Sequence, residues 1–245
     1  MSPDTRRHRG AHPADRQLFS ASQTAVLRTA TAELSWLLSR GYAITSSLKL
    51  VGDHHGLNKR QRVALSRAAC SDQSRAARQA TCLPVQQIAD QKLVIDGFNL
   101  LITLEAALSG GVILLCRDGC VRDIASVHGS YRTVLETPDA LELIGKGLAA
   151  ISPKSVLWLF DKPVSNSGRL AQLVRTTAQE HAWPWQAEVT LNPDTVIAAS
   201  AQIAVSSDSS VLDQVLRWVN LSAYLIEHYI SEAWVIDLRG EPSCC

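Results

Sequence analysis

From Lys92 onward, short apolar runs alternate with segments of helical length: KLVID, 99–109, VILLC, 138–150, SVLWLFD, 167–181, QIAVSSD and 209–218. Continuous apolar runs without polar alternation suit strands covered on both faces, as in a parallel sheet. Strands separated by helices in this way are joined by crossover connections. The pattern predicts an α/β fold, a three-layer sandwich around a mainly parallel sheet.

Upstream the period changes. Between residues 22 and 39, Val26, Leu27, Leu34, Leu37 and Leu38 recur near helical spacing. Asn58 is a candidate N-cap for a second helix reaching Cys70, with Val63 and Leu65 turned inward. Residues 71–91 read as a helix followed by a linker around Pro84, whereas residues 1–20 carry Pro3, Gly10 and Pro13 and little periodicity. The expected organisation is a flexible basic arm over 1–20, a small basic helical domain over 21–88, and an α/β domain over 89–245.

Composition narrows the class. The chain has 245 residues, 46% hydrophobic and 19% charged, which supports a sizeable core and excludes collagen-like, coiled-coil and wholly disordered chains. The longest apolar stretch, 100–116, is broken by Glu105, Gly110 and Gly111, too early for a membrane span. No apolar segment follows the basic N-terminus, as a secretory signal requires. Six cysteines without regular spacing do not form a disulfide framework. A soluble, reduced, cytoplasmic protein with no membrane partner is expected.

The net charge of +1 conceals an asymmetry. Residues 1–92 hold 14 Lys+Arg against 6 Asp+Glu, and residues 93–245 hold 10 against 17. Lys59, Arg60, Arg62, Arg67, Arg75 and Arg78 fall outside the apolar helix positions. A basic part suits phosphate contacts and an acidic part suits divalent metal. The alternative is that the opposite charges simply hold the two parts together.

The acidic part has a pattern of its own. KLVI ends on Asp96, VLWLF on Asp161 and IAVSS on Asp208, while VILLC is followed by Arg117 and Asp118. Strand carboxyl ends share one edge of a parallel sheet, where ligands bind. Carboxylates gathered there repel unless protonated or neutralised, and oxygen-only ligands favour Mg²⁺ or Mn²⁺. Asn99 is placed to cap the helix after Asp96. Glu105, nearly two turns along, faces either the same pocket or solvent. Asp194 and Asp213 read as a cap and a helix-surface residue.

Asp96-Gly97-Phe98-Asn99 after an apolar strand resembles the first motif of PIN-like nucleases, particularly their NYN branch, and VSSDSSVLD resembles their C-terminal motif. That resemblance covers residues 92–220. Nearly the whole chain resembles a prokaryotic family of unknown function with a helical N-terminal domain and a PIN-like domain. The matching stretches are LLSRGYAITSSLKLVGDHHGLNKRQR, VIDGFNLLITLEAAL, RDGCVRDIASVHGSYR and DKPVSNSG. The resemblance implies metal-dependent phosphodiester hydrolysis, usually of RNA. Asp96, Asp161 and Asp208 would be catalytic metal ligands for Mg²⁺ or Mn²⁺, with Glu105 or Asp118 completing the set.

Asn99 would orient a carboxylate or phosphate, and Arg122, Arg132 and Lys162 would neutralise phosphate. Ser165, Asn166 and Ser167 would offer oxyanion donors at a helix N-terminus, unless they are only an elaborate cap. Lys59, Arg60 and Arg62 would grip RNA. A non-catalytic RNA-binding protein and a phosphatase acting on a small phosphate ester are the alternatives, and homodimerisation is left open.

Other signals carry less. Gly52-Asp53-His54-His55 is similar to the adjacent histidines of DHH phosphoesterases, but residues 1–52 lack that family's earlier strand-borne Asp motif. Cys116 and Cys120 lack a second pair at zinc-finger spacing. The run at 145–147 lacks the first Gly and trailing Ser/Thr of a phosphate loop. Trp183 and Trp185 flank Pro184 and suit either base stacking or packing.

Overall fold

A computed structural model of the chain describes residues 9–125 and 131–240. The first eight residues of the expected arm, the Cys244–Cys245 pair and residues 126–130 of one matching stretch lie outside the described residues. No helix among the described residues is long and apolar enough to cross a membrane.

The N-terminal unit is helical: α1 (Asp15–Leu18), α2 (Ala21–Ser39), α3 (Ile44–His54), α4 (Lys59–Ala68) and α5 (Asp72–Thr81). Asn58 caps α4 in a full capping box with Gln61, worth about 1 kcal/mol. The described part of the arm departs from expectation. Phe19 is buried, and Asp15 lies fully buried with the Arg60 guanidinium on it, so this segment is docked rather than free.

The α/β unit is a six-stranded, wholly parallel sheet. In spatial order it holds β1 (Cys82–Leu83), β8 (Trp218–Val219), β7 (Ile203–Val205), β2 (Lys92–Asp96), β5 (Ser155–Asp161) and β6 (Trp185–Thr190). Leu93 and Ile95 of β2 pack into a large cluster with α6 (Gly97–Leu108), α7 (Thr137–Ile151), α8 (Ser167–Glu180) and α11 (Leu221–Tyr229). Val94 and Leu159 face the opposite side, toward α9 (Pro193–Ala199) and α10 (Ser209–Leu212). Covering on both faces explains why the middle of β2, β5 and β7 is apolar without alternation. The result is the expected three-layer sandwich.

Two features differ from the sequence reading. β1, from the segment assigned to the helical domain, is an edge strand of this sheet. VILLC does not join the main sheet: β3 (Val112–Leu115) pairs with antiparallel β4 (Val121–Asp123) and parallel β9 (Trp234–Asp237) in a second, three-stranded sheet. Val112 and Leu114 of β3 pack with Leu27, Leu34 and Leu65 of the helical unit, while Ile113 joins the large α/β cluster. The second sheet thus joins the two units. Trp183 and Trp185 are packing residues: a Cβ placed on Gly145 would come within 1.8 Å of the Trp183 ring, and Trp185 is buried.

Candidate active site

The chain runs outward from β2 to β5 and β6, then returns to β7 on the other side of β2. This reversal opens a crevice beyond the carboxyl ends of β2 and β7, the place where such sheets bind ligands. Asp96 ends β2 and Asp161 ends β5. In register Ile95 lies beside Val205, which brings the next residues of the two strands, Asp96 and Ser206, together. The Ser206 hydroxyl donates to Asp96 Oδ2 at 3.0 Å, and the Asn99 N–H donates to Oδ1 at 3.3 Å. The turn into α6 needs Gly97, because a Cβ there would sit 2.3 Å from the Phe160 ring.

The loop after β7 is clamped on both sides. Asn99 Oδ1 accepts from the Ser207 N–H at 2.8 Å and its hydroxyl at 2.9 Å. The Arg122 Nε–H donates to the Ser207 carbonyl at 2.6 Å. Between these anchors stands exposed Asp208, which caps α10 by accepting from Ser210 N–H at 2.7 Å. The crevice between Asp96 and Asp208 has a volume of 390 Å³ and is walled on the far side by Ser66 and Arg67 of α4. A second hollow of 380 Å³ shares Asp96 and contains Asp161 and Asp194. The helical unit therefore forms part of the crevice wall.

Burial pushes the Asp96 carboxyl up to about 7, and the charges of Asp194 and Asp208 push the same way. Asp194 is also raised, first by burial and then by Asp208 and Asp161. Four aspartates thus act on one another with no lysine or arginine ion pair to any of them among the described residues. Asp194, which reads as a cap in the sequence, is part of this group. It escapes the strand-end pattern because it sits in the first turn of α9.

Several expected site residues lie elsewhere. Glu105 is fully buried and accepts from Arg9, Tyr131 and Thr137. Asp118 follows a strand of the second sheet, and Arg122 and Arg78 grip it at 2.7 and 2.6 Å. Burial opposes its charge, but the two guanidiniums outweigh that and hold the carboxyl down at about 2. Arg122 lines the crevice, yet its five hydrogen bonds go to Ser207, Arg67, Asp118 and Ser209, which fits a brace rather than a free phosphate donor.

The segment 162–167 forms a turn tied to Tyr131: Asn166 donates to its carbonyl at 2.8 Å, Ser165 accepts from its N–H, and Ser167 is buried. Lys162 and Arg132 are exposed and line neither hollow. Of the three basic residues on α4, Arg60 pairs with Asp15 and Arg62 with Asp53, while Lys59 stays exposed. Arg67 does reach the crevice, where it pairs with Asp123, a further lining residue, at 3.3 Å and is held by the Ala125 carbonyl at 2.8 Å.

The family described as Domain of unknown function (DUF5616) matches residues 85–224. The chain belongs to that family. The DUF5616 region carries Asp96, Asp161, Asp194 and Asp208 as well as Asn99 and Arg122. The family described as Protein of unknown function (DUF434) matches residues 26–80, covering α3, α4 and most of α2 and α5. An uncharacterized protein of Methanocaldococcus jannaschii is 29% identical over 204 residues, which is 82% of this chain and 97% of that protein. Its span includes both the helical and the DUF5616 parts. No solved structure matches the chain.

Proposed function

We propose that the aspartate crevice is the active centre of a divalent-metal-dependent ribonuclease of PIN-like fold. The observation that carries this reading is the set of four mutually repelling aspartates, with Asp96 pushed to about 7, none of which pairs with a lysine or arginine among the described residues. The donor set is all oxygen, with Asp96 shared by both hollows, Asp208 in the first and Asp161 and Asp194 in the second. That suits Mg²⁺ or Mn²⁺, which bind through one or two carboxylates, keep several waters and accept substrate phosphate oxygens. Asp96 and Asp208 would hold the ion, and Asp161 and Asp194, which line the adjoining hollow, would add carboxylate charge beside it. Such an ion supplies a Lewis acid and an acidified water.

The chain's own residues do the positioning. Ser206 orients Asp96, and Asn99 with Arg122 fixes the loop that presents Asp208. Arg67, paired with Asp123, presents a guanidinium at the crevice wall toward a phosphodiester backbone. The basic helical unit next to the crevice favours a polyanion as substrate. The test is Mn²⁺-dependent cleavage of a panel of structured and single-stranded RNAs. Asp96→Ala is expected to abolish cleavage with RNA affinity nearly unchanged, and cleavage surviving in both Asp96→Ala and Asp208→Ala overturns the reading.

One observation favours a second reading, a phosphatase on a small phosphate ester: the two hollows, 390 and 380 Å³, are each the size of a small-molecule site. Release of inorganic phosphate from a nucleotide panel, with oligonucleotides left uncut, would select it.

A further inference from the structure

His54 and His55 have no part in the aspartate crevice. His54 is the last residue of α3 and His55 its C-cap. Gly56 follows in the left-handed region at φ 60°, where glycine is favoured. The Leu57 N–H then donates to the Gly52 carbonyl at 2.8 Å and the Gly56 N–H to Asp53 at 3.2 Å, closing the helix end and fixing the backbone of both histidines. Glu33 of the neighbouring α2 reaches across, with Oε2 2.7 Å from His55 Nε2. The imidazoles meet edge to face, 4.8 Å between centroids.

One donor atom from each of Glu33, His54 and His55 lies within 4.8 Å of the other two. The next carboxylate along, Asp53, is occupied by Lys49 and Arg62. Among the described residues, the ion-pair partner of Glu33 is His55.

We propose that Glu33, His54 and His55 form a three-ligand site for zinc(II), separate from the aspartate crevice. Two imidazoles and a carboxylate are a zinc donor set, whereas Mg²⁺ selects oxygen ligands alone. Ligands around tetrahedral zinc at about 2.0–2.2 Å sit roughly 3.3–3.5 Å apart, so side-chain rotations of about 1 Å close the site. The Glu33–His55 contact opens slightly as the ion replaces the proton between them. His54 is exposed, so the fourth position faces solvent and takes water or an exogenous ligand.

The test strips full-length protein of metal and titrates Co²⁺ as an optical stand-in, followed by Zn²⁺ in competition. One equivalent should bind with the visible spectrum of a nitrogen–oxygen tetrahedral site and no thiolate charge-transfer band, which excludes the six cysteines as ligands. Zn²⁺ should displace it stoichiometrically. His54→Ala, at an exposed helix end, should weaken binding by about 100-fold or more with an unchanged far-ultraviolet dichroism spectrum, and Glu33→Gln should do likewise. The Asp96→Asn/Asp208→Asn protein should bind as the wild type does, which separates this site from the crevice. Absence of saturable binding up to about 0.1 mM metal, or binding untouched by His54→Ala, overturns the proposal.

Discussion

Asp118 and Asp96 both follow apolar strands, and the groups that hold them both grip the loop after β7, yet the protein treats their charges in opposite ways. Asp118 is locked between Arg78 and Arg122, and its carboxyl is held at about 2. Asp96 receives only a hydroxyl and a backbone N–H, faces two more aspartates, and is pushed to about 7. The first arrangement is complete without help. The second is stabilised by a proton or by a cation from outside. The first also supports the second, because the Arg122 that neutralises Asp118 holds the Ser207 carbonyl, and so sets where Asp208 stands.

The largest expected effect breaks the neutralised side. Asp118→Ala leaves two guanidiniums facing each other in a buried site and should cost about 3–5 kcal/mol, read from urea unfolding at pH 7. The Asp118 contribution has a definite sign with pH. Its folded value lies below the usual 3.8, so the stability it gives is present above about 4 and is lost as pH falls toward 2. An acid unfolding limb of the wild type that Asp118→Ala leaves unchanged would break the comparison on this side.

A smaller effect of opposite sign is expected at Asp96. Its folded value is raised, so metal-free native protein holds a proton that the unfolded chain releases, and stability falls as pH rises from about 4 to about 7. Asp96→Asn removes that loss. In chelator-treated protein the variant should match the wild type near pH 4 and exceed it by about 1–3 kcal/mol at pH 8. A variant less stable than wild type at pH 8 would mean that the crevice carboxylate is structural. The smallest effect is that of the ion. Mg²⁺ at ten times its Kd should stabilise the wild type at pH 8 by about 1.4 kcal/mol and leave Asp96→Asn/Asp208→Asn unmoved.

Much of this architecture is legible in the chain. β2, β5 and β7 announce themselves because burial on both faces leaves them apolar throughout, and their terminal aspartates meet because parallel strands end at one edge. The same pattern misleads at VILLC, since nothing in a run of apolar residues says which sheet it enters. β9 shows this too: WVID ends on Asp237, which pairs with Arg239 and lines neither hollow. α3 hides because Ile44 and Leu50 are exposed, so its apolar positions mark no single buried stripe. β6 hides because WQAEVT alternates polar and apolar at the sheet edge. Arg60 and Arg62 look like an open basic patch until their partners, buried Asp15 and exposed Asp53, are in view.

The pairing of β9 with β3 has a consequence for how the molecule is made. β9 is the last strand among the described residues, yet it completes the platform on which the helices of the N-terminal unit rest, and Arg28 of α2 reaches the Asp237 carbonyl across 209 positions. On a ribosome the basic helices emerge well before β9 and wait, without this part of their seat, until β9 has been synthesised. Contacts of such long sequence separation slow folding, and the waiting apolar face of α2 is the segment most in need of chaperone cover.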